Sequence, residues 1–327
     1  ERYITPELKE LEGEVLSASD RLTALEYQLF TQIRENIAAQ VARLQSVSQA
    51  IATVDVLCSL AKVAQQNHYV KPQMDDSDVI DIRDGRHPVV EQVLEGELFV
   101  PNDTLLNCGD DRVYIITGPN MAGKSTYMRQ TALIVLMAQA GCFVPCEAAR
   151  IGVVDRIFTR IGAADNLAQG QSTFFVEMSE LAYILNCSKD RSLIILDEIG
   201  RGTSTYDGLS IAWAAVEYLC NANTHIRTLF ATHYHELTVL EDEVEGVRNL
   251  NVDVAEENGN IVFLHKIIPG SASQSYGVHV AKLAGVPDSV IQRSKEIAKK
   301  LSDSDLNRTT VNSIEISSVE TETDSAS

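Results

Sequence analysis

Apolar residues recur at steps of three and four through the first part of the chain, which is the spacing of one helix face. The positions are Leu22, Leu25, Leu29, Ile33, Ile37, Val41, Leu44, Val47, Ile51 and Val54. Thr5-Pro6-Glu7 is a helix start signal, with a capping hydroxyl, a proline at the first helical position and an acid in the first turn. The spacing predicts helix from about Pro6 to Gln66, either as one rod or as two antiparallel helices broken within residues 36–40. Such a stripe suits a wall of a helical bundle or a lever between distant sites.

Beyond Asn67 the pattern changes to short apolar runs that alternate with helical segments. Val79–Ile82 alternates like a strand, and four buried strands are predicted at Val113–Thr117, Ile157–Arg160, Leu193–Leu196 and Thr228–Ala231. Helices are predicted between them at Ser125–Ala140, Thr173–Leu185 and Leu209–Leu219. This alternation favours an α/β fold whose mostly parallel sheet is covered by helices on both faces.

The last third of the chain carries three further patterns. Asn249–Val254 and Ile261–Ile267 predict a hairpin, and Val280–Ala284 and Ser289–Leu301 predict two short helices hinged at Gly285-Val286-Pro287. Residues 302–327 are acidic and rich in serine and threonine, a composition that predicts disorder.

Composition narrows the possible partners. The 327 residues include 27 Lys and Arg against 46 Asp and Glu, a net charge of −19, so bulk charge does not attract a phosphate backbone. Any DNA contact is expected to be local or made by parts outside this chain. Six scattered cysteines are expected to be reduced in a cytoplasmic protein. We find no continuous apolar run of about 18 residues and expect no membrane span. The chain opens without methionine on a charged segment, as a piece of a longer protein would.

The segment Gly118–Ser125 reads GPNMAGKS and fits the phosphate-loop pattern G-x-x-x-x-G-K-[ST]. Small residues let successive backbone N–H groups surround phosphate oxygens, and Lys124 adds a positive charge. The Ser125 hydroxyl can hold Mg²⁺, and the helix that starts there directs its positive end at an anion. Because the loop follows a predicted strand and opens a predicted helix, we expect a nucleotide site.

Two carboxylates, Asp197 and Glu198, follow the predicted strand Leu193–Leu196. Asp197 is expected to hold Mg²⁺ through water, and Glu198 to act as general base on an attacking water. The alternative is a solvated turn. The glycine-rich stretch Gly200–Gly208 predicts a flexible polar loop beside the γ-phosphate.

Two further polar residues sit at element ends. His233 follows another strand, where it could sense the γ-phosphate or orient water. Ser172 precedes a helix that it could simply cap, or whose N-terminus could hold a phosphate brought by a second subunit.

Five blocks of sequence resemble the MutS family of DNA mismatch-repair ATPases. They are GPNMAGKST at 118–126, STFFVEMSE at 172–180, DEIGRGTSTYDG at 197–208, ATHYHEL at 231–237 and GRHPVVE at 85–91, with RYITPELKELE at 2–12 similar to the family's lever helix. The resemblance implies a P-loop, ABC-type ATPase sheet preceded by a helical lever (1–72, with the ATPase domain at 73–270). It also implies a helix-turn-helix dimerisation element at 271–301. The acidic tail follows at 302–327.

The resemblance also assigns roles to individual residues. It implies an aromatic side chain, Phe99, that stacks on adenine, a signature serine, Ser172, that acts in trans, and a switch histidine, His233. Lys124 and Glu198 join His233 as catalytic residues, and Ser125 and Asp197 hold the metal. The expected contacts to ATP are Phe99, Gly118, Pro119, Asn120, Met121, Ala122, Gly123, Lys124, Ser125, Thr126 and Ser172.

The partners implied by the resemblance are a second copy of the chain, ATP with Mg²⁺, mismatched duplex DNA held by domains absent from this chain, and downstream repair factors. Two alternatives stay open at this point. One is the ATPase subunit of an ABC-type transporter, and the other is a paralogue of the same family that acts on DNA junctions.

Overall fold

The fold is taken from a computed structural model of the chain, which describes residues 4–94, 96, 98–119, 122–162, 172–220, 226–257, 260–271 and 276–300. Side chains at 256, 257, 260, 261 and 283 are not described. The tail at 302–327, Asn120 and Met121 lie outside these residues. Two compact units divide the chain after Gln65.

The first unit is helical. Helix α1 spans Pro6–Ala39 and α2 spans Val41–Gln66, and Thr5 caps α1 by accepting a hydrogen bond from the Leu8 amide at 3.2 Å. The start signal is therefore confirmed. The two helices are separated by Gln40, whose amide donates to Ile37 O and whose carbonyl accepts from Leu44 N, both at 2.9 Å. The antiparallel alternative is wrong, because a packed pair would bury the apolar stripe, and α1 buries no residue.

Helix α2 is long enough, and on average apolar enough, to cross a membrane by length and composition alone. This revises the expectation that no segment has that character. Asp55 and Lys62 interrupt its apolar run.

A six-stranded sheet with strand order β10-β9-β4-β8-β7-β6 organises the second unit. Five strands run parallel, and β10 is antiparallel to β9. In chain order they are β4 Val113–Thr117, β6 Ile157–Arg160, β7 Leu193–Asp197, β8 Arg227–Ala231, β9 Val247–Glu257 and β10 Asn260–Pro269. The mostly parallel sheet and the hairpin are thus confirmed.

The central strands have apolar residues in succession because both faces of the sheet are buried. On one face Tyr114 and Ile116 pack with helix α4, Lys124–Gln139. On the other, Val113 and Ile115 pack with α5, Thr173–Cys187, and α6, Thr205–Leu219. Helix α6 begins four residues before the predicted Leu209, because Ser204 accepts a hydrogen bond from the Asp207 amide. The expected flexible loop therefore ends at Ser204.

A second, four-stranded sheet was not predicted. Its order is β1-β5-β2-β3, with β1 Gln73–Asp75, β2 Ile80–Gly85, β3 Asn102–Leu106 and β5 Ala148–Gly152. It packs through buried residues such as Ile80, Leu106 and Ile151 into the core that contains α4. A short helix, α3 Val90–Val93, lies between β2 and β3.

The remaining elements follow β8. A 3₁₀ turn at His235–Val239 and helix α7, Leu240–Glu243, lead into the β9–β10 hairpin. Helices α8, Gly277–Leu283, and α9, residues 288–300, follow. Gly285, with a φ of 84°, lies between them, so the two-helix prediction is confirmed. The domain limits 1–72, 73–270 and 271–301 stay predictions.

Gly152 is a point where the second sheet tolerates no side chain. A Cβ there would lie 1.9 Å from the Ser77 carbonyl oxygen. We expect Gly152→Ala to lower the free energy of unfolding by about 1–3 kcal/mol, the range for overpacking. Gly162→Ala, where a Cβ meets no described residue within 4 Å, should change it by less than about 0.5 kcal/mol. Urea unfolding measures the free energy of unfolding of both variants. Equal losses of stability would contradict the close approach of Gly152 to the Ser77 carbonyl.

Candidate functional site

Three adjacent strands end at the same level of the six-stranded sheet. Ile116 of β4 is in register with Ala231 of β8, and Ala231 is in register with Asp197 of β7. Neighbouring strands lie about 4.8 Å apart, so Ile116 and Asp197 are about 10 Å apart across the sheet. Whatever follows these residues therefore emerges at one carboxyl edge, where α/β sheets hold ligands.

The loop after β4 needs glycine at both ends. Gly118 has a φ of 131° and Gly123 a φ of 105°, both in the region that L side chains rarely adopt. Gly123 caps α4 without a side-chain hydrogen bond, which leaves the first amides of the helix available to an anion. Pro119 and the buried Ala122 are in the described part of the loop, and Asn120 and Met121 are outside it.

Lys124 lies under this loop rather than extending into solvent. Only 4% of it is exposed, and its Nζ donates to Gly118 O at 2.5 Å and to Pro119 O at 2.9 Å. Burial lowers the pKa of Lys124 to about 8, although the charges of Glu198 and Asp197 act to raise it. The ammonium group is thus held close to the loop and near both carboxylates.

Asp197 and Ser125 fit a hard cation. Asp197 is 7% exposed, and its Oδ1 is buried without a hydrogen-bond partner among the described residues. Ser125 is half-buried in the first turn of α4. Within the described ranges, no group of three or more His, Cys, Asp or Glu side chains is arranged to hold a metal ion. A cation here would use Asp197, a hydroxyl and waters, which is the ligand set that Mg²⁺ prefers.

Glu198 is fixed by its backbone and by both carboxylate oxygens. Its φ is 58°, its amide donates to Ala231 O at 2.9 Å, and its Oε1 and Oε2 lie 2.5 Å from His233 Nε2 and Arg201 respectively. Burial acts to raise the pKa of Glu198, but the His233 hydrogen bond and the charges of His233, Arg201 and Lys124 outweigh it and lower that pKa. The carboxylate is therefore ionised at neutral pH and correctly charged for a base.

A cavity of about 260 Å³ opens beside the loop that runs from Gly118 to Gly123. Its lining includes two aromatic residues, residues of the loop and of α4, and a histidine from β10, among them Phe99, Pro119, Gly123, Lys124, Ser125, Thr126, Tyr127 and His265. Phe99 is half-buried, and a His265 ring nitrogen is 3.2 Å from Ala122 O. The cavity can receive a flat apolar group next to a loop suited to anions.

His265 is a residue that the sequence analysis missed. It interrupts the strand pattern at a register shift between Phe263 and Ile267 and has a φ of 53°. Asn102 secures this bulge by donating to His265 O at 3.0 Å and accepting from Ile267 N at 2.7 Å. A polar residue within an apolar strand was the only signal available.

Gln130 also lines the cavity and was missed. It is 1% exposed, and both atoms of its carboxamide lack a hydrogen-bond partner in the described part of the chain.

Ser172 caps α5. Its Oγ accepts a hydrogen bond from the Phe175 amide at 3.1 Å, and the serine is exposed. The capping interpretation is confirmed, and the trans role stays a prediction. Residues 163–171, which precede the cap, lie outside the described ranges.

The fold and the site together define an α/β protein with a glycine-bounded loop, a buried lysine and paired carboxylates at one edge of a parallel sheet. The sequence profile described as MutS domain V matches residues 114–302, more than half of the chain. The chain belongs to the MutS family.

Similar proteins agree with this assignment. "DNA mismatch repair protein MutS" of Acetivibrio thermocellus is 60% identical over 308 residues, which cover 94% of this chain and 35% of that protein. The protein of the same name from Lachnoclostridium phytofermentans is 57% identical over 328 residues, or 99% of this chain and 35% of the relative. That of Clostridioides difficile is 58% identical over 301 residues, or 92% and 32%. This chain therefore spans about a third of the length of these relatives.

The contribution of the Ser172 hydroxyl to the cap of α5 can be measured with two variants. Ser172→Ala should lower the free energy of unfolding by about 0.5–2 kcal/mol, whereas Ser172→Gly should cost only a few tenths, because glycine is tolerated at a helix N-cap. Denaturant unfolding of the three proteins measures the difference. Equal stability of Ser172→Ala and the wild type would contradict the capping role.

Proposed function

We propose that this chain is the ATP-binding, ATP-hydrolysing and dimerising part of a DNA mismatch-repair protein. The observation that carries the proposal is the meeting of Lys124, Asp197, Glu198 and His233 at the shared ends of β4, β7 and β8. The names of the relatives support the repair role and do not favour the transporter alternative.

ATP is the ligand that best suits the cavity and the loop. We infer that Phe99 stacks on the adenine ring and that His265 lies beside it. Backbone N–H groups of the loop Gly118–Ser125, other than Pro119, which has none, and the Thr126 hydroxyl would contact the phosphates. Asn120 and Met121 belong to the same proposed loop. Lys124 would exchange the carbonyls of Gly118 and Pro119 for β- and γ-phosphate oxygens, which are stronger acceptors because they are charged.

Ser125 and Asp197 would hold Mg²⁺, the latter directly or through water. When bound, Mg²⁺ neutralises charge on the phosphate oxygens during transfer.

Glu198 is the proposed general base. It would accept a proton from a water that attacks the γ-phosphorus, as the bond from that phosphorus to the bridging oxygen of ADP breaks. His233, hydrogen-bonded to Glu198, would orient that water and sense the γ-phosphate. The Arg201 guanidinium keeps the second carboxylate oxygen in place.

The wider assembly is also a proposal. We infer a homodimer in which Ser172 of one subunit reaches the nucleotide of the other, with the element at 271–301 contributing to dimerisation. Closure on ATP would move the helical lever at 1–72 and so act on duplex DNA held by domains outside this chain. Mismatched duplex DNA, downstream repair factors and a cytoplasmic location complete the proposal.

Glu198→Gln tests the base. The amide keeps the shape of the side chain but cannot accept the proton, so turnover of ATP should fall by about 10²–10⁴-fold. Affinity for MgATP and ATP-dependent dimerisation should persist, measured by nucleotide titration and light scattering. Glu236→Gln, which changes a carboxylate lining the groove next to His233, is the matched control. Normal turnover by Glu198→Gln would refute the assignment.

The buried lysine gives the site a pH dependence of known sign. Because the pKa of Lys124 is lowered to about 8 in the free protein, its positive charge is lost as the pH rises through that value. kcat/KM for MgATP should therefore fall above about pH 8, while kcat should hold to higher pH, since bound phosphates favour the ammonium form. Lys189→Ala, at an exposed lysine, should leave both profiles unchanged. A kcat/KM that stays flat to pH 10 would contradict this role.

A further inference from the structure

Glu177 is a buried acid that the proposed mechanism does not use. It lies on α5, little more than one helical turn after Ser172, and it is 5% exposed. A buried carboxylate is costly unless it is paired and hydrogen-bonded. Its partners therefore indicate what the residue does.

Each oxygen of Glu177 contacts a different segment. Oε1 accepts a hydrogen bond from the Gly200 amide at 2.6 Å, and Oε2 lies 3.4 Å from an Arg160 guanidinium nitrogen at the end of β6. Arg160 is itself 5% exposed and also contacts Glu180 at 2.9 Å. The Gly200 bond is short and charge-assisted, so it is the strong contact of the set.

Gly200 is fixed at its amide, at its carbonyl and by the close approach of Gly208. Besides the Glu177 bond, its carbonyl accepts a hydrogen bond from the Tyr234 hydroxyl at 2.9 Å. Its φ is 93°, and a Cβ on it would meet the Gly208 carbonyl oxygen at 2.6 Å. Gly200 lies two residues after Glu198, so the position of its peptide helps to set where the Glu198 carboxylate points.

We propose that Glu177 is a positioning residue that ties the N-terminal part of α5 to the loop carrying Glu198, and so couples Ser172 to the hydrolytic geometry. This inference rests on the proposed function. A shift of α5 on contact with a partner's nucleotide would be passed through the Glu177–Gly200 bond to the base. Glu177 is not among the residues that line the cavity.

Four variants separate this role from a general structural one. Glu177→Ala removes the acceptor, and Glu177→Gln keeps an oxygen for the Gly200 amide while losing the charge. Glu180→Ala is the matched control, since it removes the other acid on Arg160 without touching Gly200. Tyr234→Phe loosens Gly200 from the opposite side.

Turnover and nucleotide affinity form the first readout. We expect kcat to fall about tenfold or more in Glu177→Ala and less in Glu177→Gln, because small misplacements of a catalytic group cost up to about 10²-fold. The Kd for MgATP should stay within about threefold. Tyr234→Phe should lower kcat in the same sense, and Glu180→Ala should match the wild type. Equal losses of kcat in Glu177→Ala and Glu180→Ala would overturn the proposal. So would a loss of MgATP affinity in Glu177→Ala that parallels its loss of kcat.

Hydrogen exchange at the Gly200 amide is the second readout and needs no ATP turnover. Protection should drop in Glu177→Ala and persist in Glu177→Gln and Glu180→Ala. Lost protection with unchanged kcat would overturn the coupling and leave the ATPase proposal intact. If Glu177→Ala does not fold, the test rests on Glu177→Gln and Tyr234→Phe. A wild-type kcat in both of these variants would refute the positioning role of Glu177. Absence of turnover in the wild-type chain would instead overturn the proposed function, and the catalytic part of this inference with it.

Discussion

The register of three parallel strands is the constraint on which the site depends. Hydrophobic burial drives β4, β7 and β8 into the core, and their pairing makes them end together. Asp197 is the last residue of β7, and Gly118, Glu198 and His233 lie one or two residues beyond the ends of β4, β7 and β8. A slip of one residue in any strand would turn its side chains to the other face and separate these groups.

The chain as a whole is negatively charged, but positively charged side chains cluster around Glu198. The net charge is −19, yet Lys124, Arg201 and His233 surround Glu198 and together lower its pKa despite burial. Conversely, the negative charges of Glu198 and Asp197 limit how far burial lowers the pKa of Lys124. This arrangement suits the proposed polyanion, because the cation lies next to the loop and is only partly solvated, where Coulombic interactions are strongest.

Local patterns predicted the parts of the fold that are strongly periodic. The bounds of β4 and β6 agree with the sequence analysis, and the Thr5 cap does too. In the second sheet only β2 was predicted, from the alternation at Val79–Ile82. The sheet itself was missed because its other strands are short, as in Gln73–Asp75, or alternate buried and exposed residues too briefly to stand out. In the site, the loop and both carboxylates follow from motif and context, while Phe99 came from resemblance alone. His265 could not be predicted, since only the fold brings a bulge of β10 to the cavity.

The strained backbone of Glu198 is held by contacts from its own loop and from the segment that ends β8. A non-glycine residue at a φ of 58° costs of the order of 1–3 kcal/mol and persists only where its surroundings over-determine it. Here the Ala231 carbonyl holds its amide, His233 and Arg201 hold its carboxylate, and Gly200 is fixed two residues on. Two of these contacts come from the segment Ala231–His233 at the end of β8, and the third comes from Arg201, three residues after Glu198. The strain is thus carried by the tertiary fold, which is why no local sequence pattern around Glu198 reveals it.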